Sequence, residues 1–452
     1  MDGPPTPFHG FCPLFAEGTT LYDRAMPKKV LVVGSGAREH AIALRLLESP
    51  AVDHVVVLPG NAGTARPPGH LAGKRLENAV GDPVAVARGG GFDLVVVGPE
   101  VPLCAGLVDS LAAEGVLAFG PEAKAARLEG SKAFMKEFAA RHRIPTASYT
   151  ILRDPALVET AVREFPDPPV VKADGLAAGK GVVVADSHEE AVTVARKMLS
   201  GELFGDSGKT VVLEQRLLGA EASVNIICDG DHFIVLPPAQ DHKRIFDGDR
   251  GPNTGGMGTY APAPLMTAAV AERVLREILE PAVLGMKADG MPYRGTLFAG
   301  LMIAPDGAPS LIEFNVRFGD PETQVLLNTT DGDLYLALEG AARGQLDREL
   351  IKPSADHAVC VVLAAAGYPE TPRKGDVISG IERAERGEGV RVYHAGTAEK
   401  GGAIVTAGGR VLAVTARGSS LVQAHQRAYQ AAGAIRFDGM QYRRDIAARA
   451  LG

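Results

Sequence analysis

From Lys28 to about Pro121, short apolar runs alternate with glycine-containing turns and with longer stretches of helical pattern. The apolar runs predict strands, and the stretches between them predict helices. An alternation of strand and helix is typical of a doubly wound parallel sheet, in which ligands bind beyond the carboxyl ends of the strands. The predicted strands span residues 30–33, 54–58 and 93–97, and the predicted helices span about 38–47 and 103–113.

Three turns occupy the ligand-binding end of this predicted sheet, at residues 34–39, 59–64 and 98–102. Glycines in the first turn would free backbone N–H groups, and the helix that follows would present its positive end to an anion. A dinucleotide fingerprint would need glycine where Glu39 stands, so a small phosphorylated substrate is predicted rather than NAD. Tight turns without a ligand are the alternative for each turn taken alone.

A predicted helical stretch at 122–142 contains Ser131, a good N-cap, followed by Lys132 in the first turn. A lysine there opposes the helix dipole unless an anion also binds, although a solvated lysine explains it equally simply.

Residues 169–214 predict a small separate lobe. It combines strands at 170–172, 182–185 and 209–215 with a helix at 187–199 and a glycine loop at 174–181. The loop lacks the spacing of a phosphate-binding Walker A motif. Its lysines and small residues suggest a flap that closes over a triphosphate, with a plain flexible hairpin as the alternative.

Two carboxylates follow this lobe, Glu214 and Glu221, which could hydrogen-bond an adenine amino group and ribose hydroxyls or could simply be exposed. The polar segment 240–258 has almost no regular pattern and predicts a long substrate-binding loop. Within it, His242 could be a general base, but a structural or solvated histidine is the simpler interpretation.

The segment 311–322 predicts a strand on which Glu313, Asn315 and Arg317 share one face, while Phe314 and Val316 face the core. A carboxylate and an amide oxygen suit a magnesium ion that is shared with phosphate, and the arginine suits a developing anion. Taken alone, the pattern also fits a half-exposed strand whose charges face water.

Composition adds little to this picture. The chain has 452 residues, enough for two to four domains, and a net charge of −7, without the basic surplus of nucleic-acid-binding proteins. No apolar run approaches the length of a membrane helix, and the four cysteines lack metal-binding spacing. We therefore expect a cytoplasmic protein with neither nucleic-acid nor membrane partners.

Residues 1–26 are rich in proline and glycine. We expect them to be a disordered extension or the result of an upstream start codon.

Lys132, the glycine loop, the two carboxylates that follow it and the Glu313–Asn315 strand occur in the order found in ATP-grasp carboxylate–amine ligases. The chain closely resembles the glycinamide ribonucleotide synthetase family from about Lys28 onward. The motifs that carry the resemblance are G-S-G-A-R-E-H-A at 34–41, P-G-N-A-G-T at 59–64, G-S-K at 130–132, K-A-D-G-L-A-A-G-K-G-V at 172–182, Q-D-H-K-R at 240–244, G-P-N-T-G-G-M-G at 251–258 and R-F-G-D-P-E-T-Q at 317–324.

The resemblance implies an α/β protein with an ATP-grasp fold, and it divides the chain into a doubly wound N-terminal domain at 27–127, an ATP-grasp domain at 128–350 with a mobile lid lobe at about 149–214, and a small C-terminal α/β domain at 351–452. Since the chain stops there, the fused domains of some eukaryotic relatives are not expected. The C-terminal domain is expected to contain strands at 357–363, 403–406 and 410–415 and a helix at 419–432.

The resemblance also implies an activity: ATP, glycine and 5-phosphoribosylamine give glycinamide ribonucleotide, ADP and phosphate through glycyl phosphate, in de novo purine biosynthesis. Arg317 would steady the acyl phosphate, Asp241 would bind the glycine ammonium, and Glu313 and Asn315 would hold Mg²⁺ or Mn²⁺. The residues implied to bind ATP are Lys132, Lys172, Gly175, Gly179, Lys180, Gly181, Glu214, Gln215, Leu217 and Glu221, of which Lys180 would also be catalytic.

The other substrates are implied to contact the three N-terminal turns and the 240–258 segment. The implied residues are Gly34, Gly36, Arg38, Glu39, Asn61, Gly63, Thr64, Gly98, Glu100, Asp241, Lys243, Asn253, Thr254, Gly255 and Arg317. We expect a monomer or weak homodimer.

Departures from the family pattern are mild. Gln215 stands where glutamate is common, Val316 replaces a frequent cysteine, and Ser35 and Ala37 replace asparagine and glycine in the first turn. Two alternatives stay open: another ATP-grasp enzyme, such as a biotin-carboxylase-like or aminoimidazole-ribonucleotide carboxylase relative, and a nucleotide-binding sensor without turnover. Glycine-dependent phosphate release distinguishes the first, and ADP production distinguishes the second.

Overall fold

A computed structural model of the protein describes residues 27–176 and 181–452. The N-terminal part contains a five-stranded parallel sheet of order β3-β2-β1-β4-β5. Its central strands are buried and rich in valine, as expected for a parallel sheet covered on both faces. The elements are β1 (Lys28–Gly34), α1 (Ala37–Leu47), β2 (Val52–Pro59), β3 (Arg75–Asn78), α2 (Pro83–Gly90), β4 (Leu94–Val97), α3 (Glu100–Cys104), α4 (Leu107–Ala113), β5 (Ala118–Phe119) and α5 (Ala123–Gly130).

The predicted parallel sheet is confirmed, but two of the predicted helices are interrupted. Gly106 adopts a φ of +84° between α3 and α4, which breaks the predicted helix 103–113. Ser131 is extended and ends the helix that the sequence predicted at 122–142. Its hydroxyl accepts a hydrogen bond from the Phe134 N–H, so Ser131 caps the next helix as predicted.

A four-stranded antiparallel sheet of order β6-β9-β7-β8 forms the following lobe. The lobe has its own apolar core, which includes Val171, Ala195 and Leu213. The helix α6 (Lys132–Arg141) precedes the lobe and packs in a different apolar core. The elements of the lobe are β6 (Tyr149–Leu152), α7 (Val158–Arg163), β7 (Val170–Ala173), β8 (Val182–Val184), α8 (His188–Leu199) and β9 (Val211–Glu214).

A second antiparallel sheet, of order β11-β10-β16-β17, carries the segment that the sequence singled out for metal binding. One face of this sheet packs on α9 and α10, which a π-helical turn at Leu275–Leu279 joins. This part of the chain contains β10 (Ala220–Asp229), β11 (Phe233–Val235), β12 (Gln240–Asp241), β13 (Arg244–Phe246), β14 (Arg250–Asn253), β15 (Gly258–Ala261), α9 (Ala268–Val274), α10 (Glu280–Ala288), β16 (Arg294–Ile303), β17 (Pro309–Asn315), α11 (Glu322–Leu326), β18 (Thr330–Gly332), α12 (Leu334–Arg343) and β19 (Ile351–Pro353).

The C-terminal part contains a five-stranded antiparallel sheet of order β12-β15-β20-β24-β21, covered by α14. Its own elements are β20 (His357–Ala364), α13 (Ile381–Glu385), β21 (Val390–His394), β22 (Thr397–Lys400), β23 (Ala403–Thr406), β24 (Arg410–Gly418), α14 (Leu421–Ala432) and α15 (Ala448–Leu451). Within the described residues, no helix combines the length and apolar character needed to cross a membrane.

The prediction that 240–258 is almost without regular structure is wrong. The segment contains β12, the β13–β14 hairpin and the start of β15, and β15 pairs with β20. These strands are short and rich in glycine and charge, so they carry no period-2 apolar pattern. The strands β13 and β14 pair with each other, whereas β15 pairs with the distant strand β20 and in turn pairs with β12.

Candidate active site

The end of β17 brings Glu313, Asn315 and Arg317 together, although not in the way that strand alternation predicted. The strand ends at Asn315, because the Val316 N–H donates to Glu129 Oε2 at 2.7 Å. Arg317 therefore lies beyond the strand, and its guanidinium turns back to donate to Asn315 Oδ1 at 3.2 Å. The prediction that Phe314 and Val316 are buried is confirmed.

The charges of four cationic side chains act on the Glu313 carboxylate. Burial by itself would raise the pKa of Glu313, but Lys243, Lys172, Lys132 and Arg317 together hold it below its ordinary value. The cluster thus combines an ionised carboxylate with a concentration of positive charge, as an anionic polyphosphate would need.

Glu313 and Asn315 also fit the oxygen-ligand set of a divalent ion. Within the described residues, no hydrogen bond or ion pair shorter than 4 Å occupies the Glu313 carboxylate, and no group of three or more His, Cys, Asp and Glu side chains could hold a metal alone. Magnesium commonly takes one or two protein oxygens and completes its shell with water and phosphate, so a two-residue set suits it.

The start of the predicted glycine loop contacts the N-terminus of α6. Lys132 Nζ donates to Gly175 O at 3.3 Å, and the Ala133 N–H donates to Asp174 Oδ1 at 2.7 Å. Asp174 therefore provides the negative charge that the helix dipole requires beside Lys132. At the other end of the loop, Gly181 O accepts from the Ala173 N–H at 2.8 Å.

Gly179 and Lys180, two residues predicted to bind ATP, lie outside the described residues.

Behind the loop, Lys172 forms an ion pair with Glu214 at 2.8 Å. Glu214 is only 3% exposed, so the alternative that it is a surface glutamate is wrong. Its chain neighbours differ: Gln215 is exposed and accepts from Ser148 Oγ at 3.0 Å, and Leu217 is half-buried.

Glu221, predicted to hold a ribose, is partly exposed and pairs with Lys243 at 2.7 Å. Burial lowers the pKa of Lys243, but Asp241, Glu221 and Glu313 outweigh this effect and raise it. Lys243 is thus the cation that three carboxylates share.

Asp241 faces a second carboxylate that the sequence analysis did not single out. Burial and then the Asp241 charge raise the pKa of Glu322 to about 7, and burial also raises the pKa of Asp241. Glu322 was part of the R-F-G-D-P-E motif, which could have identified it as a candidate.

His242, next in the chain, is buried, and neither ring nitrogen has a partner within the described residues. Burial and then Arg449 lower its pKa to about 3, which fits the structural interpretation.

Arg317 is anchored between two carboxylates. Its guanidinium lies 3.3 Å from Glu100 and 3.3 Å from Glu129. Burial lowers the pKa of Arg317, but these two carboxylates outweigh it and raise the pKa above its ordinary value. Glu100 was a predicted site residue, whereas Glu129 gave no signal in the sequence beyond its place before G-S-K.

A cleft of about 500 Å³ lies at the carboxyl ends of β1 and β2, where the predicted turns meet. Glu39 closes its floor by accepting hydrogen bonds from the Gly36 N–H at 2.6 Å and Arg38 Nε at 2.5 Å. A Cβ at Gly34 or Gly98 would lie 2.4 or 2.1 Å from the Glu39 side chain, so a larger residue at either position would displace the Glu39 carboxylate. Glu39 therefore fills the space that a dinucleotide would need.

The 59–64 turn is held by its own side chains. Asn61 Nδ2 donates to Ser35 O at 2.9 Å and to His394 O at 2.8 Å, and Thr64 Oγ1 donates to Asn78 Oδ1 at 2.6 Å. Asn61 and Thr64 thus position the turn. Gly63 packs against the rings of His40 and His394, which leaves no space for a side chain.

The β13–β14 hairpin brings the last predicted residues near this cleft. Thr254 Oγ1 donates to Lys243 O at 2.8 Å, Asn253 is exposed, and Gly255 O accepts from Arg410 at 2.5 Å. Arg410 also pairs with Asp320, a residue of the cleft wall, at 2.9 Å. Sequence reasoning missed both: Asp320 lies within the R-F-G-D-P-E-T-Q motif, but Arg410 begins an ordinary strand and gave no signal.

Sequence models of three domains of one family match consecutive parts of the chain. The phosphoribosylglycinamide synthetase N domain matches residues 28–129, the ATP-grasp (A) domain matches 130–323, and the C domain matches 358–449.

Individual relatives agree with this match. A protein named phosphoribosylamine–glycine ligase from Vibrio vulnificus is 49% identical over 428 residues, which cover 93% of this chain and 98% of that protein. A crystal structure of a phosphoribosylamine–glycine ligase from Thermotoga maritima superposes with a TM-score of 0.82 at 36% identity and covers 93% of this chain and 100% of that one.

The biotin carboxylase domain of a 2-oxoglutarate carboxylase from Hydrogenobacter thermophilus resembles the chain in fold alone, with a TM-score of 0.69 at 19% identity over 92% of this chain and 91% of that one. The α/β, ATP-grasp fold class and the family predicted from the sequence are confirmed. The chain belongs to the phosphoribosylglycinamide synthetase family.

Proposed function

We propose that this protein ligates glycine to 5-phosphoribosylamine with ATP, giving glycinamide ribonucleotide, ADP and phosphate in de novo purine biosynthesis. Family membership and the names of relatives at 49% identity support this activity. The observation that carries it is that the charges of four cationic side chains act on Glu313, within a chain that also holds a separate cleft at the N-terminal turns.

In the first half-reaction, an oxygen of the glycine carboxylate attacks the γ-phosphorus of ATP, and the bond to the β-phosphate oxygen breaks. Glycyl phosphate and ADP result. Such a transfer depends on alignment and on neutralised phosphate charge more than on a base. Lys132, Lys172 and Lys243 supply that charge, and Arg317 faces the acyl phosphate. We also propose that Lys180 contacts the ATP phosphates and that Gly179 contributes to the ATP site.

Glu313 and Asn315 would hold Mg²⁺ or Mn²⁺ beside these cations. When bound, the ion would neutralise phosphate oxygens and fix their orientation.

Asp241 binds the glycine ammonium in this proposal, since an anionic residue beside Lys243 and Glu322 can place the amino acid with its carboxylate toward the lysines. Adenine contacts run from Glu214 to Leu217, largely through backbone, and Glu221 exchanges Lys243 for ribose hydroxyls.

The second half-reaction takes place where the N-terminal cleft meets this cluster. Arg38, Gly34, Gly36, Gly63 and the rest of the turns hold phosphoribosylamine, whose nitrogen attacks the acyl carbon. The carbon–oxygen bond to phosphate breaks, and the departing phosphate takes the amine proton. Asp320 and Arg410 connect this cleft to the C-terminal sheet.

ADP release by the full chain tests the proposal, with phosphoribosylamine generated from ribose 5-phosphate and ammonia. We expect sustained, multiple-turnover ADP release only when ATP, glycine and phosphoribosylamine are all present. Bicarbonate-dependent release without glycine would overturn the assignment, and no release with any substrate would favour a binding protein. The predicted absence of nucleic-acid and membrane partners, and the predicted monomer or weak homodimer, stay predictions.

A further inference from the structure

A buried trio of charged side chains lies at the back of the proposed nucleotide site: Lys136, Lys172 and Glu214. Both ammonium groups contact the same carboxylate oxygen, Glu214 Oε2, at 3.0 Å from Lys136 and 2.8 Å from Lys172. The Lys136 side chain is 0% exposed. The second oxygen, Glu214 Oε1, is buried and has no hydrogen-bond partner among the described residues.

The two lysines differ in the contacts that they make besides Glu214. Lys136 Nζ also donates to Thr146 Oγ1 at 2.7 Å, and this hydroxyl in turn donates to Leu311 O at 2.7 Å on the strand that carries Glu313. The Tyr149 ring lies 5.7 Å from Lys136 Nζ on another side. Lys172, by contrast, lies on the strand that leads into the glycine loop, and its charge also acts on Glu313.

The trio carries one negative and two positive charges, so one ammonium exceeds what the carboxylate needs. Burying a charge without a partner is expensive, and removing one member of a buried pair typically destabilises strongly. The arrangement therefore makes sense if one lysine stays on Glu214 while the other is free to leave it.

We infer that Lys136 is a positioning residue of the nucleotide site: it is the permanent counter-ion of Glu214 and so allows Lys172 to exchange the carboxylate for the nucleotide. This inference rests on the proposed function, because it takes ATP as the occupant. Lys136 does not touch the nucleotide; it acts through Glu214 and Lys172.

Without Lys136, the departure of Lys172 would leave an ionised carboxylate alone in a dry site. Nucleotide binding would then have to overcome that cost. Burial lowers the pKa of Lys136 to about 8, with Glu214 opposing the shift and Lys172 adding to it. Loss of its proton in mildly alkaline solution should thus weaken nucleotide binding in the same direction as its deletion.

The test measures binding of MgADP to the full chain by titration calorimetry, together with KM for ATP and for glycine. For Lys136→Met we expect the Kd for MgADP and the KM for ATP to rise about tenfold or more, with less than about a twofold change in KM for glycine. The wild-type Kd should also rise between pH 7 and 9, whereas that of the variant should not. Lys124→Met, at an exposed lysine on α5, is the matched control and should bind like the wild type.

A second background separates a counter-ion from a packing residue. In a Glu214→Gln chain there is no carboxylate to neutralise, so adding Lys136→Met should change the Kd by less than about twofold. An equal loss in both backgrounds, or an unchanged Kd in Lys136→Met alone, would overturn the inference.

Whether Lys136→Met and the double variant fold is a further test of the inference. If Lys136→Met fails to fold while the double variant folds, Lys172 alone does not neutralise Glu214 even in the nucleotide-free chain, and the inference fails. If neither folds, Lys136 is a folding residue and the inference fails. The proposed function fails separately, if the wild type binds MgADP with this pH dependence but releases no ADP with glycine and phosphoribosylamine.

Discussion

Asn61 connects the 59–64 turn to the C-terminal domain, and its removal should loosen both. Its amide donates to Ser35 O at 2.9 Å and to His394 O at 2.8 Å. Its side-chain oxygen Oδ1 accepts from the Gly63 N–H at 2.8 Å and the Thr64 N–H at 3.2 Å. Asn61 is 7% exposed, so these backbone groups have little access to water.

The size of the effect follows from those four contacts. A buried polar group that loses its partner costs about 1–3 kcal/mol, and the opened space admits water that recovers part of this. We therefore expect Asn61→Ala to lower the free energy of unfolding by about 3 kcal/mol, measured by urea denaturation with circular dichroism. Because the turn lines the proposed phosphoribosylamine cleft, KM for that substrate should also rise, while KM for glycine should not.

Gln430→Ala is a suitable control, since it truncates an exposed amide on α14 and should change the unfolding free energy by less than about 0.5 kcal/mol. If Asn61→Ala loses less than about 1 kcal/mol and keeps the wild-type KM for phosphoribosylamine, the side chain does not hold the turn and the reasoning is wrong.

Three further predictions concern other parts of the molecule. Glu313→Gln should abolish ADP release without altering the circular dichroism spectrum, because it removes the proposed metal ligand; full activity would show that the metal assignment is wrong. Burial and then the Arg66 charge lower the pKa of His394 from 6.5 to about 4, so the neutral ring contributes stability that is complete above pH 6.5 and is lost as the pH falls toward 4. Thermal unfolding should show a loss of about 3 kcal/mol over that range, and a His394→Asn chain whose pH profile matched the wild type would contradict this. Arg443 is 1% exposed and pairs with Asp249 at 2.7 Å and Asp445 at 2.6 Å, so Arg443→Met should cost about 3–5 kcal/mol in urea unfolding, against little change for its exposed neighbour in Arg444→Met.

Local pattern was enough to locate several regular elements closely. The predicted strand at 403–406 has the bounds observed for β23, and the predicted helix at 187–199 differs from α8 by its cap residue alone. In these elements the apolar positions and the flanking cap or turn residues belong to the same short segment. Burial and hydrogen bonding there agree with propensity, so no distant partner is needed to specify them.

The same reasoning failed where a polar segment has an apolar or hydrogen-bonding partner far along the chain. Strands β12 and β15 exist because β20 continues their sheet, and Arg317 leaves the predicted strand face because Glu129 takes the Val316 N–H. Neither partner is visible in the local pattern.

By itself, the amino-acid sequence determined the family, the doubly wound start of the chain and the pairing of a carboxylate with an amide oxygen at Glu313 and Asn315, since each depends on short runs of neighbouring residues. Only the tertiary structure decided which charges meet. It placed Lys136 and Lys172 on one oxygen of Glu214, gathered three lysines and Arg317 around Glu313, and tied the cleft to the C-terminal sheet through Arg410. The physical reason is that the energy of a charge inside a protein depends on burial and on neighbours brought in by folding, and neither quantity is a property of the local sequence.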